Sequence, residues 1–381
     1  MPINTLASFQ KSRLSKAITL ACIALVATPI TVQAATSCGT AGTTTITAAE
    51  TDQCSLVAGE SLVVSETWSI TTPIISPFNH AVSINSLTVG SITNNGSLIV
   101  GGDKTGIRIE NNSTTGSIIN NGVITADDGI DISGVSTVLG DISNTGTITS
   151  TYGIDINDDT RITGGISNAG TITSDSSAIR IGDNVTIGGS VSNSGTITVG
   201  FDKGIEISGA STTISGGITN SGTITADDAG IYVDNSTVSG GITNSGTITG
   251  STGIYITNVS TIGGGISNTG TITANQGIYI NGNPPNNSSV SGGITNAGTI
   301  ISVSTGIALL DVSVVGSVTN SGTIIGYNGI DIFRDTTTIS GGLINSGAII
   351  SSNNAISFTI DNAVIGFPSK PGHPAISRGQ E

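Results

Sequence analysis

The sequence predicts an all-β chain folded as a right-handed parallel β-helix, a solenoid of about eleven coils, and three observations carry that expectation. An Asn-x-Gly step begins at Asn94, Asn120, Asn144, Asn168, Asn193, Asn220, Asn244, Asn268, Asn296, Asn320 and Asn345, at intervals of 24 to 28 residues, a period that marks stacked repeat units. A second anchor, Gly-Ile-x-Ile or a close relative, follows each step, from Gly106-Ile107-Arg108-Ile109 to Ala355-Ile356-Ser357-Phe358. The apolar segments at both anchors are short, alternate with period two and are rich in β-branched residues, which suits strands and not helices.

Within one unit, Ile218-Thr219-Asn220-Ser221-Gly222-Thr223-Ile224-Thr225, the alternation puts Ile218, Asn220 and Ile224 on one face and the Thr and Ser residues on the other. Three strands of about four to six residues fill a repeat of this length, and eleven coils stacked at about 4.8 Å would reach roughly 50 Å. The Ile positions stack into a core of one repeated side chain. Asn220 and its equivalents face inward at a corner, where an amide must be hydrogen-bonded; stacked amides can bond from coil to coil, and the Gly two residues later is expected to relieve the bend. Composition agrees: 54 Gly, 9% charged and 3% aromatic residues suit a solenoid that buries small aliphatics coil by coil better than a compact globule.

Taken in order, residues 1–34 read as a secretory signal peptide. Lys11, Arg13 and Lys16 supply the positive flank, Ala17 to Ala27 the apolar run and Val32-Gln33-Ala34 a small-residue cleavage site. The run is too short and wrongly flanked for a membrane span, so no direct span is expected after its removal. Cys22 leaves with it. Cys38 and Cys54 then lie close together near the mature N-terminus, and in an oxidising compartment they are expected to form a disulfide; with no further Cys or His ligands nearby, a zinc site is not expected. Residues 35–91 lack the clean repeat, and pieces such as Ser61-Leu62-Val63-Val64 and Ala81-Val82-Ser83-Ile84 read as degenerate coils capping the solenoid.

Residues 92–366 carry the repeats. Their longest interval, from Asn268 to Asn296, holds Asn281-Gly282-Asn283-Pro284-Pro285-Asn286-Asn287, a predicted protruding loop because paired prolines donate no ladder hydrogen bonds. Residues 367–381 break the pattern with Pro368, Pro371 and Pro374. They are expected to be an irregular tail arising from a frameshift, a truncation or a fragmentary gene.

Cleavage after Ala34 removes three cations and no acids, leaving 8 Lys+Arg against 25 Asp+Glu, a net charge of −17. That balance argues against nucleic acid or an anionic membrane surface as partner. The acids sit mostly in turns, as at Asp127-Asp128 and Asp227-Asp228, and the Gly-Gly-x-Gly-x-Asp pattern of calcium-binding β-rolls does not occur, so neither a metal nor another cofactor is expected. Only His80 and His373 are present, neither in a nucleophile motif, and the eight cations are dispersed. No catalytic residues are assigned and no enzymatic activity is expected.

Two outward columns are candidate surfaces. The middle residue of Gly-Ile-x-Ile reads Arg108, Asp131, Asp155, Arg180, Glu206, Tyr232, Tyr255, Tyr279, Ala308, Asp331, Ser357. Tyr232, Tyr255 and Tyr279 form a strip that could lie against sugar rings or simply stabilise adjacent coils. The second is Thr-Ile-Thr, at Thr147/Thr149, Thr171/Thr173, Thr196/Thr198, Thr223/Thr225, Thr247/Thr249 and Thr271/Thr273, decaying to Thr-Ile-Ile at Thr299 and Thr323. A flat double row of Thr on a β-solenoid resembles the ice-binding face of some antifreeze proteins, although Thr is also a favourable exposed strand residue.

The recurring Asn-Ser-Gly-Thr-Ile-Thr, at Asn220 to Thr225 and Asn244 to Thr249 behind a signal peptide, resembles the passenger region of Gram-negative autotransporters, the type V secretion family, over about residues 92–366. The resemblance implies export through the inner membrane, passage across the outer membrane and display of a β-helical rod, often used in adhesion to host glycans or surface proteins. The family's C-terminal translocator barrel does not follow here, so a separate or missing outer-membrane barrel is implied as partner. The expected function is that of a surface-displayed or secreted, adhesin-like structural passenger. A carbohydrate-binding or carbohydrate-cleaving β-helix and an ice-binding protein are the alternatives.

Overall fold

The computed structural model describes residues 80–333 and 336–359, together with strands at 43–46, 54–55, 61–64, 69–72 and 364–365. Residues 1–34, Cys38 and residues 367–381 lie outside the described residues, and Cys54 is described only in its backbone, within a strand paired with Val82–Ser83. Among the described residues every regular element is a β-strand, and the strands form three sheets of 13, 22 and 11 members. The architecture is a parallel β-solenoid of about eleven turns.

One coil shows the plan. Ile218–Asn220 lies in the first sheet, Thr223–Thr225 and then Ala229–Asp234 in the second, and Thr237–Val238 in the third. Each pairs in parallel with its counterpart one coil on: Ile218 with Ile242, Ile224 with Ile248, Ile231 with Ile254, and Val238 with Ile262. A coil therefore has four strand segments where the sequence suggests three. The Thr-Ile-Thr and Gly-Ile-x-Ile segments share one wide sheet, and they fuse into single strands at Thr247–Thr257, Thr271–Asn281 and Thr299–Leu310. The fourth segment is only two or three residues long, too short to show a period of its own.

The core is one continuous column of aliphatics, with Ile218, Ile224, Ile231 and Val238 of this coil buried. The asparagines run beside it. From Asn94 to Asn320 all are buried, and each Nδ2 donates to Oδ1 of the next asparagine at 2.7–2.8 Å, ending on Asn345. Asn220 Nδ2 also donates to Gly222 O at 3.2 Å and Thr247 O at 3.3 Å. Each amide thus uses donor and acceptor together, which no carboxylate or aliphatic of similar size can do.

The glycine of Asn-x-Gly has a different cause from the one expected. None of the eleven has a positive φ. A Cβ on Gly222 would instead lie 2.0 Å from Gly195 O, and the same approach recurs at Gly246 over Gly222 O. The corner needs glycine because successive coils stack backbone on backbone there, not because the chain bends into the left-handed region.

Before Asn94 the first sheet continues through Ser61–Val64, with Leu62 opposite Ile92 and Val64 opposite Asn94. Val64 is buried at the ladder position, so an aliphatic precedes the first amide. The Pro284-Pro285 loop exposes residues 283–286, while Asn287 Nδ2 donates to Thr336 O at 2.8 Å and so ties the loop to a coil 49 residues on.

Candidate functional site

The Gly-Ile-x-Ile segments of the wide sheet place the column of variable side chains in register: Arg108 beside Asp131, Asp131 beside Asp155, Asp155 beside Arg180, Arg180 beside Glu206, then Glu206, Tyr232, Tyr255 and Tyr279 in succession. Arg108 to Tyr279 are half-buried, whereas Ala308 and Asp331, expected to face solvent, are buried. Ala308 is too short to reach past its neighbours. Asp331 is held in by Thr305 Oγ1 at 3.2 Å and Asn328 Nδ2 at 2.7 Å, both donating to its Oδ2.

The charged half of the column is a ladder of ion pairs. Arg108 lies 3.0 Å from Glu110 and 3.7 Å from Asp131; Arg180 lies 3.1 Å from Asp155 and 4.0 Å from Glu206. Desolvation pushes the Asp131 carboxyl up to about 7, offset only in part by Arg108, and Asp155 on the next coil adds like-charge repulsion. Asp128 is pushed up to about 6 by the same burial and by Asp127.

Folding disfavours the ionised Asp131, whose ordinary pKa is 3.8, so stability from this group is full below about pH 4 and is lost as pH rises towards 7. The melting temperature of the unmodified chain should fall more steeply across that interval than that of Asp131→Asn, as read by circular dichroism melts at several pH values.

The aromatic half is packed on itself. Tyr255 and Tyr279 stack with centroids 4.9 Å apart and planes 18° apart, and Tyr232 meets Tyr255 edge-on at 5.3 Å and 62°. Lys203 Nζ sits 5.1 Å from the Tyr232 ring centroid. The stacked faces of Tyr255 and Tyr279 are turned towards each other, so the three tyrosines are brought together as a ladder half-sunk in the surface, not as an open platform.

Two residues that join this column were not singled out from the sequence. Lys203 pairs with Asp202 at 2.7 Å besides facing Tyr232, and Tyr152 lies under Arg180 with the guanidinium 5.9 Å from its centroid. Each stands just before the glycine of its anchor. In Asp128-Gly129-Ile130-Asp131 both Gly129 and Ile130 are buried, so the alternation slips by one and the residue before glycine shares the outward face with x. That glycine in a period-two pattern was the available signal.

His80 accepts a hydrogen bond from Thr105 N at 3.1 Å, a structural contact. Among the described residues no group of three His, Cys, Asp or Glu side chains is placed to hold a metal ion. Comparison with protein-family models, with curated proteins and with solved structures gave no match for this chain.

Proposed function

We propose that the chain is an exported structural β-helix, displayed at the cell surface or secreted, which acts as an adhesin-like passenger without catalysis of its own. The observation that supports this reading is the division of labour between columns. Interior positions repeat Ile, Val, Asn and Gly from coil to coil, while the solvent column from Arg108 to Tyr279 is mixed, with two arginines, two aspartates and a glutamate followed by three tyrosines. A solenoid of this kind is a scaffold whose extended surface is the variable part. The signal-peptide reading of residues 1–34 and the mature charge of −17 are consistent with export and exposure.

The test is fractionation after expression of the full chain in a Gram-negative host, with N-terminal sequencing of the product. A chain starting at Ala35 and found outside the cytoplasm is expected. Retention in the cytoplasm with residues 1–34 intact would remove the proposal.

A further inference from the structure

The double row of threonines on the wide sheet is a two-dimensional lattice. Thr147, Thr171, Thr196, Thr223, Thr247 and Thr271 pair in register from coil to coil, and so do Thr149, Thr173, Thr198, Thr225, Thr249 and Thr273. The isoleucine between each pair is buried, from Ile148 to Ile272, so both threonines of every strand project outward. Coils repeat at about 4.8 Å and the two threonines of a strand stand about 6.6 Å apart. The β-branched side chain is stiff at χ1, so methyl and hydroxyl are held in fixed directions.

Three further observations bear on what this face can bind. First, neither column carries a charge along its whole length; beyond the threonines the positions are Ser69, Ser97, Val123, Ala348 and the isoleucines at 99, 301, 325 and 350. Second, strand propensity alone does not account for it. The other outward column of the same sheet carries Arg, Asp, Glu and Tyr, although it meets the same solvent. Third, the twelve hydroxyls make no hydrogen bond to protein among the described residues, so each is left to an outside partner; the buried Thr115 and Thr160 instead bond Gly90 O at 2.8 Å and Asn157 O at 2.6 Å.

An ordered, uncharged array of methyl and hydroxyl groups is suited to a partner that is itself periodic, uncharged and able to both donate and accept. A charged side chain would hold its own hydration shell and disrupt such a fit. We infer that the Thr147–Thr273 face binds ice, its hydroxyls joining the oxygen lattice and its methyls ordering the water between them. Pre-organisation lowers the entropy lost on contact, because the lattice is set by the stacked coils beneath it.

The experiment freezes a solution of the purified chain slowly into polycrystalline ice and measures the share of protein taken into the ice, together with inhibition of ice recrystallisation. The unmodified chain is expected to enter the ice and to inhibit recrystallisation. The triple variant Thr198→Lys/Thr225→Lys/Thr249→Lys should lose both activities. Thr213→Lys/Thr237→Lys/Thr261→Lys places the same three charges on the single threonine column of the third sheet and should keep both. Circular dichroism melts establish that the variants are folded; should the first triple variant unfold, Thr→Ser at its three positions takes its place and should weaken both activities. Exclusion of the unmodified chain from ice, equal behaviour of the two lysine variants, or retention on insoluble cellulose without uptake into ice would overturn the inference.

Discussion

Gly222→Ala is expected to destabilise the solenoid by about 3 kcal/mol, the upper end of what overpacking costs in a well-packed site. The added methyl would lie 2.0 Å from Gly195 O and 2.6 Å from Ser194 C, and these are backbone atoms of a corner already fixed by hydrogen bonds. Ser221 N and Gly222 N both donate to Asn193 O, at 2.8 and 3.2 Å, so the corner cannot open without losing them. Gly200→Ala provides the contrast. Its nearest atoms would be 3.6 Å from the new Cβ, ordinary contact, so loss of unfolded-state freedom should leave stability unchanged or raise it by about 0.4–1 kcal/mol. Chemical denaturation of both variants reads the difference, and equal midpoints would show that the corner yields.

Asn220→Ala should be about as damaging, at roughly 2–5 kcal/mol, since it removes buried volume and leaves Asn244 Oδ1 without its donor. Asn220→Asp is the sharper test. The carboxylate still accepts from Asn193 Nδ2 but faces Asn244 Oδ1, Gly222 O and Thr247 O with nothing to donate. Burial raises the pKa of such a group above its unfolded value, so its cost is smallest at acid pH and grows as pH rises. The variant should melt well below the unmodified chain at pH 7 and recover part of the gap near pH 4, where the protonated carboxyl can donate to Asn244. A gap independent of pH would show that the amide is not tied into the ladder through its donor.

The parts of this fold that were legible in the sequence are those whose cause lies within one coil or between neighbours of the same type. Ile218, Asn220 and Ile224 share a parity and a burial, and the asparagines repeat, so both the core and the amide ladder followed from spacing. What could not be read there depends on three-dimensional closeness. The role of Gly222 lies in Gly195 O, 27 residues back, and glycine in a turn reads equally well as a conformational device. The two-residue strand Thr237–Val238 shows no alternation. Column membership of Tyr232, Tyr255 and Tyr279 was visible, but ring orientation was not, and it is the orientation that decides whether the strip offers faces or edges. Lys203 and Tyr152 escaped because glycine shifts the alternation ahead of them. The threonine lattice was visible as a pattern; its free hydroxyls and unbroken register needed coordinates.

The amide ladder also has a direction. Every link runs the same way, Nδ2 of one coil to Oδ1 of the next, from Asn94 to Asn345. Aligned in this way the side-chain dipoles add along the stack, and each bond polarises the one that follows. No single amide can reverse: a flipped Asn220 would set donor against donor on one side and acceptor against acceptor on the other. The stack therefore behaves as a one-way wire of hydrogen bonds, and its two ends differ chemically although the coils between them are near copies. The leading asparagine turns its oxygen inward to Gly96 N at 3.2 Å, closing that end on itself. The trailing Asn345 is exposed and donates to Gly347 O at 3.3 Å, so any coil laid on that side would be matched to the stack only if it offered an acceptor at the asparagine position.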